Sequence, residues 1–266
     1  MLPRTCPFGK PVAALVGLIL LVALSGCATA DRWWAEIWED GERATPSAEA
    51  MADEGMEFFS QGSYYEAAKV FEDLKSSYPF HPLAMMAELK AADSHFYQEH
   101  YEEARSLYRE FEERHPANEA MPYVLFQIAF SHAKQIGTID RDTGAAAQAV
   151  QAFGRLLKTY PDSPYSAEAR EGLAAARDHL ASHEMYVVGF YVRTGSHTQA
   201  EARLESLLAN YPDSTVAPLA RDLLADLKAG NPPSRSWRSW LPGFSFSEMF
   251  TLSEWSLAPG ASATSK

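Results

Sequence analysis

Tyr-Tyr-Glu-Ala-Ala-Lys-Val-Phe-Glu-Asp-Leu-Lys-Ser-Ser-Tyr-Pro, residues 64–79, is the stretch that decides the fold, because its pattern returns three times further along the chain. Within it an alanine stands twelve residues before a proline, and apolar Phe71 and Leu74 follow the alanine at helical spacing. Alanine is small enough to let a neighbouring helix approach, whereas proline cannot continue a helix. The pattern therefore predicts four helices that each end at a proline. The alanine–proline pairs are Ala67 with Pro79, Ala104 with Pro116, Ala149 with Pro161, and Ala200 with Pro212.

A second amphipathic segment precedes each of these helices, so each unit reads as a helix, a tight turn and another helix. Gly62 and Gly195 stand where two of the segments end, as expected of residues that cap a helix. Unequal spacing leaves room for a loop around residues 137–144 and for an additional helix over residues 166–180. One more helix, residues 215–228, can cap the apolar face of such a stack. The preceding segments are residues 49–61, 83–98, 122–136 and 183–194.

The N-terminus reads as a secretion signal. Arg4 and Lys10 precede an apolar run over residues 12–24, which is shorter than the roughly 20 residues of a membrane-spanning helix. The run ends in Leu-Ser-Gly-Cys, residues 24–27, which resembles the lipobox of bacterial lipoproteins. The resemblance implies cleavage after residue 26 and a lipid on the Cys27 thiol; Ala28, in place of aspartate, implies the outer membrane. The alternative is an ordinary secretory signal with a buried Cys27.

These observations predict four segments. Residues 1–26 form the signal peptide, residues 27–47 a lipid-anchored linker, residues 48–228 the repeat domain, and residues 229–266 a tail rich in Trp and Phe. Disordered segments are usually poor in aromatic residues, so we expect the tail to dock on something.

Composition and motifs argue against several functional classes. A formal charge of −12 disfavours nucleic acid as a partner, and two cysteines are too few for a disulfide framework or a cysteine-based zinc site. His179 and His183, four residues apart on an expected helix, could bind a metal in a lipoprotein enzyme, but no third ligand has sensible spacing. A solvated helix end is the simpler interpretation. The sequence therefore predicts no catalytic site, no cofactor and no metal centre.

The repeating units resemble the tetratricopeptide repeat, whose pattern G-x2-Y, A-x3-F, P is met by Gly55, Phe58, Ala67, Phe71 and Pro79. The resemblance implies an all-α superhelix, an α-solenoid of about four and a half repeats, with the first helix of each unit lining a concave groove. Large apolar residues on those helices suit an extended peptide, although we expect about half of them to be buried between helices. The predicted groove residues are Met56, Phe59, Phe96, Tyr97, Tyr123, Phe126 and Phe130.

Local motifs are similar to those of the BamD family over about residues 48–228. They are Tyr-Pro-Phe-His-Pro at residues 78–82, Asp-Arg-Asp at residues 140–142 and Tyr-Pro-Asp-Ser-Pro-Tyr at residues 160–165. The resemblance implies a non-catalytic lipoprotein subunit of the β-barrel assembly (BAM) complex, on the periplasmic face of the outer membrane, that recognises unfolded barrel proteins. It also implies that Arg203 contacts a POTRA domain of a BamA-type barrel subunit. The alternative is a generic periplasmic repeat adaptor lipoprotein of another envelope complex.

Overall fold

The computed structural model describes residues 46–231, and within this range it contains nine helices and no strand. Cys27, the signal peptide, nearly all of the linker, and the tail beyond residue 231 lie outside the described residues, so the expectations for them stay predictions. In chain order the helices are α1 Ala48–Ser60, α2 Tyr64–Ser77, α3 Pro82–Tyr97, α4 Tyr101–Arg114, α5 Met121–Lys134, α6 Gly144–Thr159, α7 Ser166–Arg193, α8 His197–Asn210 and α9 Ala217–Lys228.

The helices pack in chain order, each against the one before and the one after it. Additional contacts join α1 to α3 and α5 to α7, so alternate helices also meet. This arrangement of helical pairs confirms the all-α, tetratricopeptide-like solenoid that the repeats predict. No helix of the described residues is both long enough and apolar enough to cross a membrane.

The four repeat alanines, Ala67, Ala104, Ala149 and Ala200, are completely buried, as expected for residues at helix crossings. The residue four positions after each alanine fills the core of its unit. These four are Phe71, Tyr108, Phe153 and Leu204, each 0% exposed. The repeated alanine and its large apolar follower are thus the packing unit of the solenoid.

Two of the large rings press against glycines on neighbouring helices. A Cβ atom added to Gly55 of α1 would lie 2.7 Å from Cε1 of Phe71, and one added to Gly172 of α7 would lie 2.5 Å from Cζ of Phe153. Both distances are shorter than carbon atoms tolerate without moving. Glycine is therefore required at these two crossings because the ring occupies the space of a side chain.

The turns inside the first, second and fourth units share one geometry. Gly62 and Gly195 have φ values of +77° and +75°, and Glu99 of the second unit adopts +63° at the corresponding place. At the first turn the N–H of Gly62 donates to the carbonyl of Phe59, and the turns at Glu99 and Gly195 repeat this bond. A side chain in the left-handed region costs roughly 1–2 kcal/mol, so Glu99 is a strained version of the glycine cap.

One expectation about the helices is wrong. Residues 166–180 and 183–194 were expected as two helices, but they form the single 28-residue helix α7. No glycine or proline separates the two segments, and Ala181 and Ser182 at the expected break are buried in continuous helix. The first half of α7 packs on Phe153 of α6, whereas Val188 in its second half packs with Leu204 of α8. The expected loop before α6 is present, and Asp142 there accepts a hydrogen bond from the N–H of Gly144 at 3.0 Å.

We expect Gly172→Ala to lower the free energy of unfolding by about 1–3 kcal/mol, because the new Cβ must displace the enclosed Phe153 ring. Gly154→Ala on α6 is the matched control. Apart from its own helix backbone and chain neighbours, nothing lies within 4 Å of its added Cβ, so this change should stabilise the helix by about 0.5–1 kcal/mol. Urea unfolding followed by circular dichroism measures both. Equal effects of the two changes would contradict the packing described for Gly172.

Candidate peptide-binding surface on the first helices

Aromatic rings from consecutive units form one continuous series, here called the aromatic ladder. The centroids of neighbouring rings lie 5.4–5.8 Å apart, within the usual range for interacting aromatic pairs. Three pairs in the series are stacked and the others meet edge-on or at a tilt. In spatial order the ladder comprises Phe59, Tyr97, Phe96, Phe130, Phe126, Tyr165 and Tyr123.

Six of the seven predicted groove residues belong to the ladder, but they differ in exposure. Phe96, Phe126 and Phe130 are only 6–7% exposed, so they are core residues that support the surface from beneath. They are buried because α3 and α5 have a helix on each side. Phe59, Tyr97 and Tyr123 are partly exposed, and Met56, outside the ladder, is 41% exposed. This division agrees with the expectation that about half of the set is buried.

The structure adds two rings that sequence reasoning did not assign to this surface. Tyr64 at the start of α2 stacks on Tyr97 with a centroid distance of 4.8 Å. Tyr165, just before α7, connects Phe126 to Tyr123. Tyr64 belongs to a second helix and Tyr165 to a turn, so the assumption that only first helices line the groove excluded them.

A buried carboxylate, Asp93 of α3, lies beneath the ladder and joins three helices. Its Oδ1 accepts hydrogen bonds from the hydroxyls of Tyr108 at 2.7 Å and Tyr123 at 2.6 Å, and its Oδ2 accepts one from Nζ of Lys90 at 3.0 Å. The Gln127 amide donates to both tyrosine oxygens, at 3.2 and 3.1 Å. We call these five residues the Asp93 network. Because every member is hydrogen-bonded, the network fixes the orientation of the Tyr123 ring.

Burial and the nearby charge of Asp93 together raise the pKa of the Tyr108 and Tyr123 hydroxyls well above 10. Both hydroxyls therefore remain protonated hydrogen-bond donors at neutral pH. The same two causes, burial first, raise the pKa of Tyr97. The tyrosines of this surface act as neutral aromatic groups and not as acids.

Two lysines lie over rings of the ladder. Nζ of Lys90 is 4.6 Å from the centroid of Phe59, and Nζ of Lys134 is 4.8 Å from that of Phe130. Such cation–π contacts contribute roughly 0.5–1 kcal/mol at exposed sites. Lys90 also binds Asp93, so it connects the buried network to the partly exposed Phe59 ring.

Arg203 lies on α8, outside the aromatic ladder. Its side chain is 45% exposed, and its Nη1 donates to Oε2 of Glu184 on α7 at 2.8 Å. The guanidinium thus has a partner in its own chain but keeps about half of its surface open to solvent. It is neither enclosed in the core nor part of the candidate peptide-binding surface.

The two histidines considered as metal ligands have other surroundings. Nδ1 of His183 donates to the carbonyl oxygen of Ile139 at 2.6 Å, which attaches the loop before α6 to α7. His179 is buried, and burial, with a smaller contribution from His183, lowers its pKa. Within residues 46–231 no group of three or more His, Cys, Asp or Glu side chains is placed to hold a metal ion.

Comparison with known proteins places the chain in a family. The model of the YfiO family, described as an outer membrane lipoprotein, matches residues 45–229. The chain belongs to this family. Similar curated proteins are each named outer membrane protein assembly factor BamD, which confirms the family predicted from the local motifs.

Three of these relatives show how far the similarity extends. The Caulobacter vibrioides protein is 22% identical over 212 residues, covering 80% of this chain and 68% of the relative. The Neisseria gonorrhoeae protein is 28% identical over 213 residues, covering 75% and 78%. The Vibrio cholerae protein is 25% identical over 213 residues, covering 76% and 85%.

The family motifs occupy turns of the structure. In Tyr-Pro-Phe-His-Pro, the Phe80 side chain is 99% exposed between α2 and α3, while Nδ1 of His81 accepts a hydrogen bond from the N–H of Leu83 at the start of α3. At the last motif, the hydroxyl of Ser166, the first residue of α7, donates to the carbonyl of Tyr160 and joins the turn to the helix. These two motifs therefore set the entry into α3, which carries Phe96 and Tyr97 of the ladder, and into α7.

We expect Asp93→Ala to lower the free energy of unfolding by about 3–5 kcal/mol, because it leaves the Lys90 ammonium and two buried hydroxyls without their acceptor. Asp73→Ala on the exposed face of α2 is the matched control and should change stability by less than about 0.5 kcal/mol. Urea unfolding at pH 7 provides both values. A loss at Asp93 no larger than that at Asp73 would show that the Asp93 network does not stabilise the fold.

Proposed function

We propose that this chain is an outer membrane protein assembly factor of the BAM complex, a non-catalytic lipoprotein that acts as a scaffold and binds unfolded barrel proteins. The aromatic ladder carries this proposal. The ladder presents aromatic surface from several units. Packing against the buried rings and the Asp93 network hold its partly exposed rings in place. The names of the BamD relatives support the assembly role.

An extended, unfolded strand is the ligand that suits this surface. Partly exposed Phe59, Tyr97 and Tyr123, with the thioether of Met56, can receive alternate apolar side chains of such a strand. The rings are already ordered, so little side-chain entropy is lost at the surface itself. The strand still loses its own conformational entropy, and we therefore expect modest affinity, on the order of micromolar.

A second surface serves the scaffold role. We assign Arg203 to a contact with a POTRA domain of a BamA-type barrel subunit, as its match to the family implies. Its half-exposed guanidinium can make paired hydrogen bonds to a partner carboxylate while Glu184 holds it away from the core. The ladder remains available to substrate because Arg203 lies outside it.

The same proposal includes the location of the protein. Lipid on Cys27 anchors the chain to the periplasmic face of the outer membrane, and the residues up to Ser47 connect the anchor to α1. Two or three acyl chains hold a protein far more firmly than one, at about 0.8 kcal/mol per buried methylene. The helices then stand close to the barrel subunit that they serve.

We expect Met56→Ser with Phe59→Ser to weaken binding of a synthetic peptide, the last strand of a barrel protein ending in an aromatic residue, by at least about tenfold. Tyr65→Ser, which removes a 70% exposed ring from α2, is the matched control and should leave affinity unchanged. Fluorescence anisotropy measures the dissociation constants. Apolar contact dominates, so affinity should change little at raised salt.

The same titration separates the two candidate functions. A peptide without its final aromatic residue should bind several-fold more weakly if the surface reads barrel strands. Equal binding of both peptides, or equal affinity in the double variant and the control, would favour a generic repeat adaptor.

We expect Arg203→Glu to reduce co-purification of the barrel subunit from detergent-solubilised outer membrane several-fold, because it replaces the donor of the contact with an acceptor. Glu184→Gln removes the charge of the intrachain partner and leaves the guanidinium in place, so it should retain the subunit. Circular dichroism should show equal helicity in both variants. Retention of the subunit by Arg203→Glu would assign Arg203 to a purely intrachain role.

A further inference from the structure

A cleft lies between α4 and α6, which are the second helices of the second and third units. It is away from the ladder. It encloses about 690 Å³, within the range of about 300–1,000 Å³ that ligand sites occupy. Ile128 and His132 of α5 form its floor, and residues of α4 and α6 form its walls. We call it the outer cleft. The polar wall residues used below are Arg109, Glu112, Glu113, Gln148, Gln151 and Arg155.

The wall charges are unevenly paired. Arg155 and Glu112 form an ion pair across the cleft. Among residues 46–231, no hydrogen bond or ion pair engages the Arg109 guanidinium or the side-chain amides of Gln148 and Gln151. Within residues 46–231 the cleft therefore presents one unpaired cation, one unpaired carboxylate on Glu113, and two uncommitted amides to whatever enters it.

The floor of the cleft adds a polar group that the fold does not use. The His132 side chain is only 4% exposed, and its Nδ1 is shut off from solvent without a hydrogen-bond partner. Burial first, and then the positive charges of Arg105 and Arg109, lower the pKa of His132 to about 4, against a smaller opposite effect of Glu102. The ring is therefore neutral at pH 7. Because Nδ1 has no acceptor, the single proton is best carried by Nε2, which becomes the donor available to a ligand.

We propose that the outer cleft binds a carboxylate-bearing side chain of a partner polypeptide, with Arg109 and His132 as its donors. One unpaired guanidinium matches one carboxylate. The amides of Gln148 and Gln151 can pair with the peptide groups that flank such a side chain. The carboxylates of Glu112 and Glu113 repel any anion, and this repulsion is about twice as large for a doubly charged phosphate as for a single carboxylate. This site goes beyond the proposed function, because it lies outside both the ladder and the Arg203 contact.

The test observes His132 directly in the full-length lipoprotein in detergent at pH 7, with histidine labelled at Cε1 for NMR. The chain has eight histidines, and His132→Asn identifies the resonance of interest. The probes are a capped alanine–glutamate–alanine tripeptide, the same tripeptide with glutamine in place of glutamate, and inorganic phosphate. We expect the glutamate tripeptide to shift the His132 resonance in a saturable way, and the glutamine tripeptide and phosphate to bind at least about tenfold more weakly.

Variants locate the interaction. Arg109→Gln should weaken binding of the glutamate tripeptide about tenfold, whereas Arg141→Gln, in the exposed loop before α6, should leave it unchanged. Equal responses to the three probes, no saturable shift of His132, or unaltered affinity in Arg109→Gln would each overturn the proposal. Because the ladder is tested with a different peptide and different variants, failure here leaves the proposed function standing.

Discussion

The solenoid depends on the close approach of a large apolar side chain to a neighbouring helix. Phe71 and Phe153 each occupy space that only a glycine leaves open, and the buried alanine four residues before them keeps their own helix close. Interiors of this density do not tolerate an added methyl group without movement of the neighbours. Each unit thereby fixes the position of the next, and a surface that spans several units can be ordered although no single unit could form it.

Aromatic residues on the first helices serve two purposes because of this arrangement. A helix that packs between two others exposes only a narrow face to solvent. Rings on either side of that face are therefore buried in the core. Phe96 and Phe130 stack on each other in the interior, while Tyr97, next in sequence to Phe96, remains partly exposed. The stability of the fold and the shape of the candidate binding surface therefore rest on the same residues. A ring that stabilises the stack also sets where its exposed neighbour lies.

The sequence predicted the parts of the molecule that arise from local repetition. Alanine, an aromatic or leucine residue and proline at fixed spacing were enough to place the helical pairs and their buried crossings. The prediction of two separate helices within residues 166–194 was wrong. Residues 181–182, where the break was expected, include neither glycine nor proline, and the helix continues through them. The Asp93 network could not be foreseen from the sequence. Tyr108 and Tyr123 lie 15 and 30 residues after Asp93, and only the packing of three helices brings them to its carboxylate. The exposure of individual groove rings likewise depends on which helices cover them, which spacing alone does not reveal.

The continuity of α7 has a mechanical consequence. Its 28 residues make a rod about 42 Å long that belongs to two consecutive units. Tyr165, at the start of the rod, touches the last rings of the ladder, and Glu184, about five turns further along, holds Arg203. A helix of this length without a break fixes the spacing between its two ends. The ladder end of α7 and the surface around Arg203 are therefore held at a set distance by one continuous element.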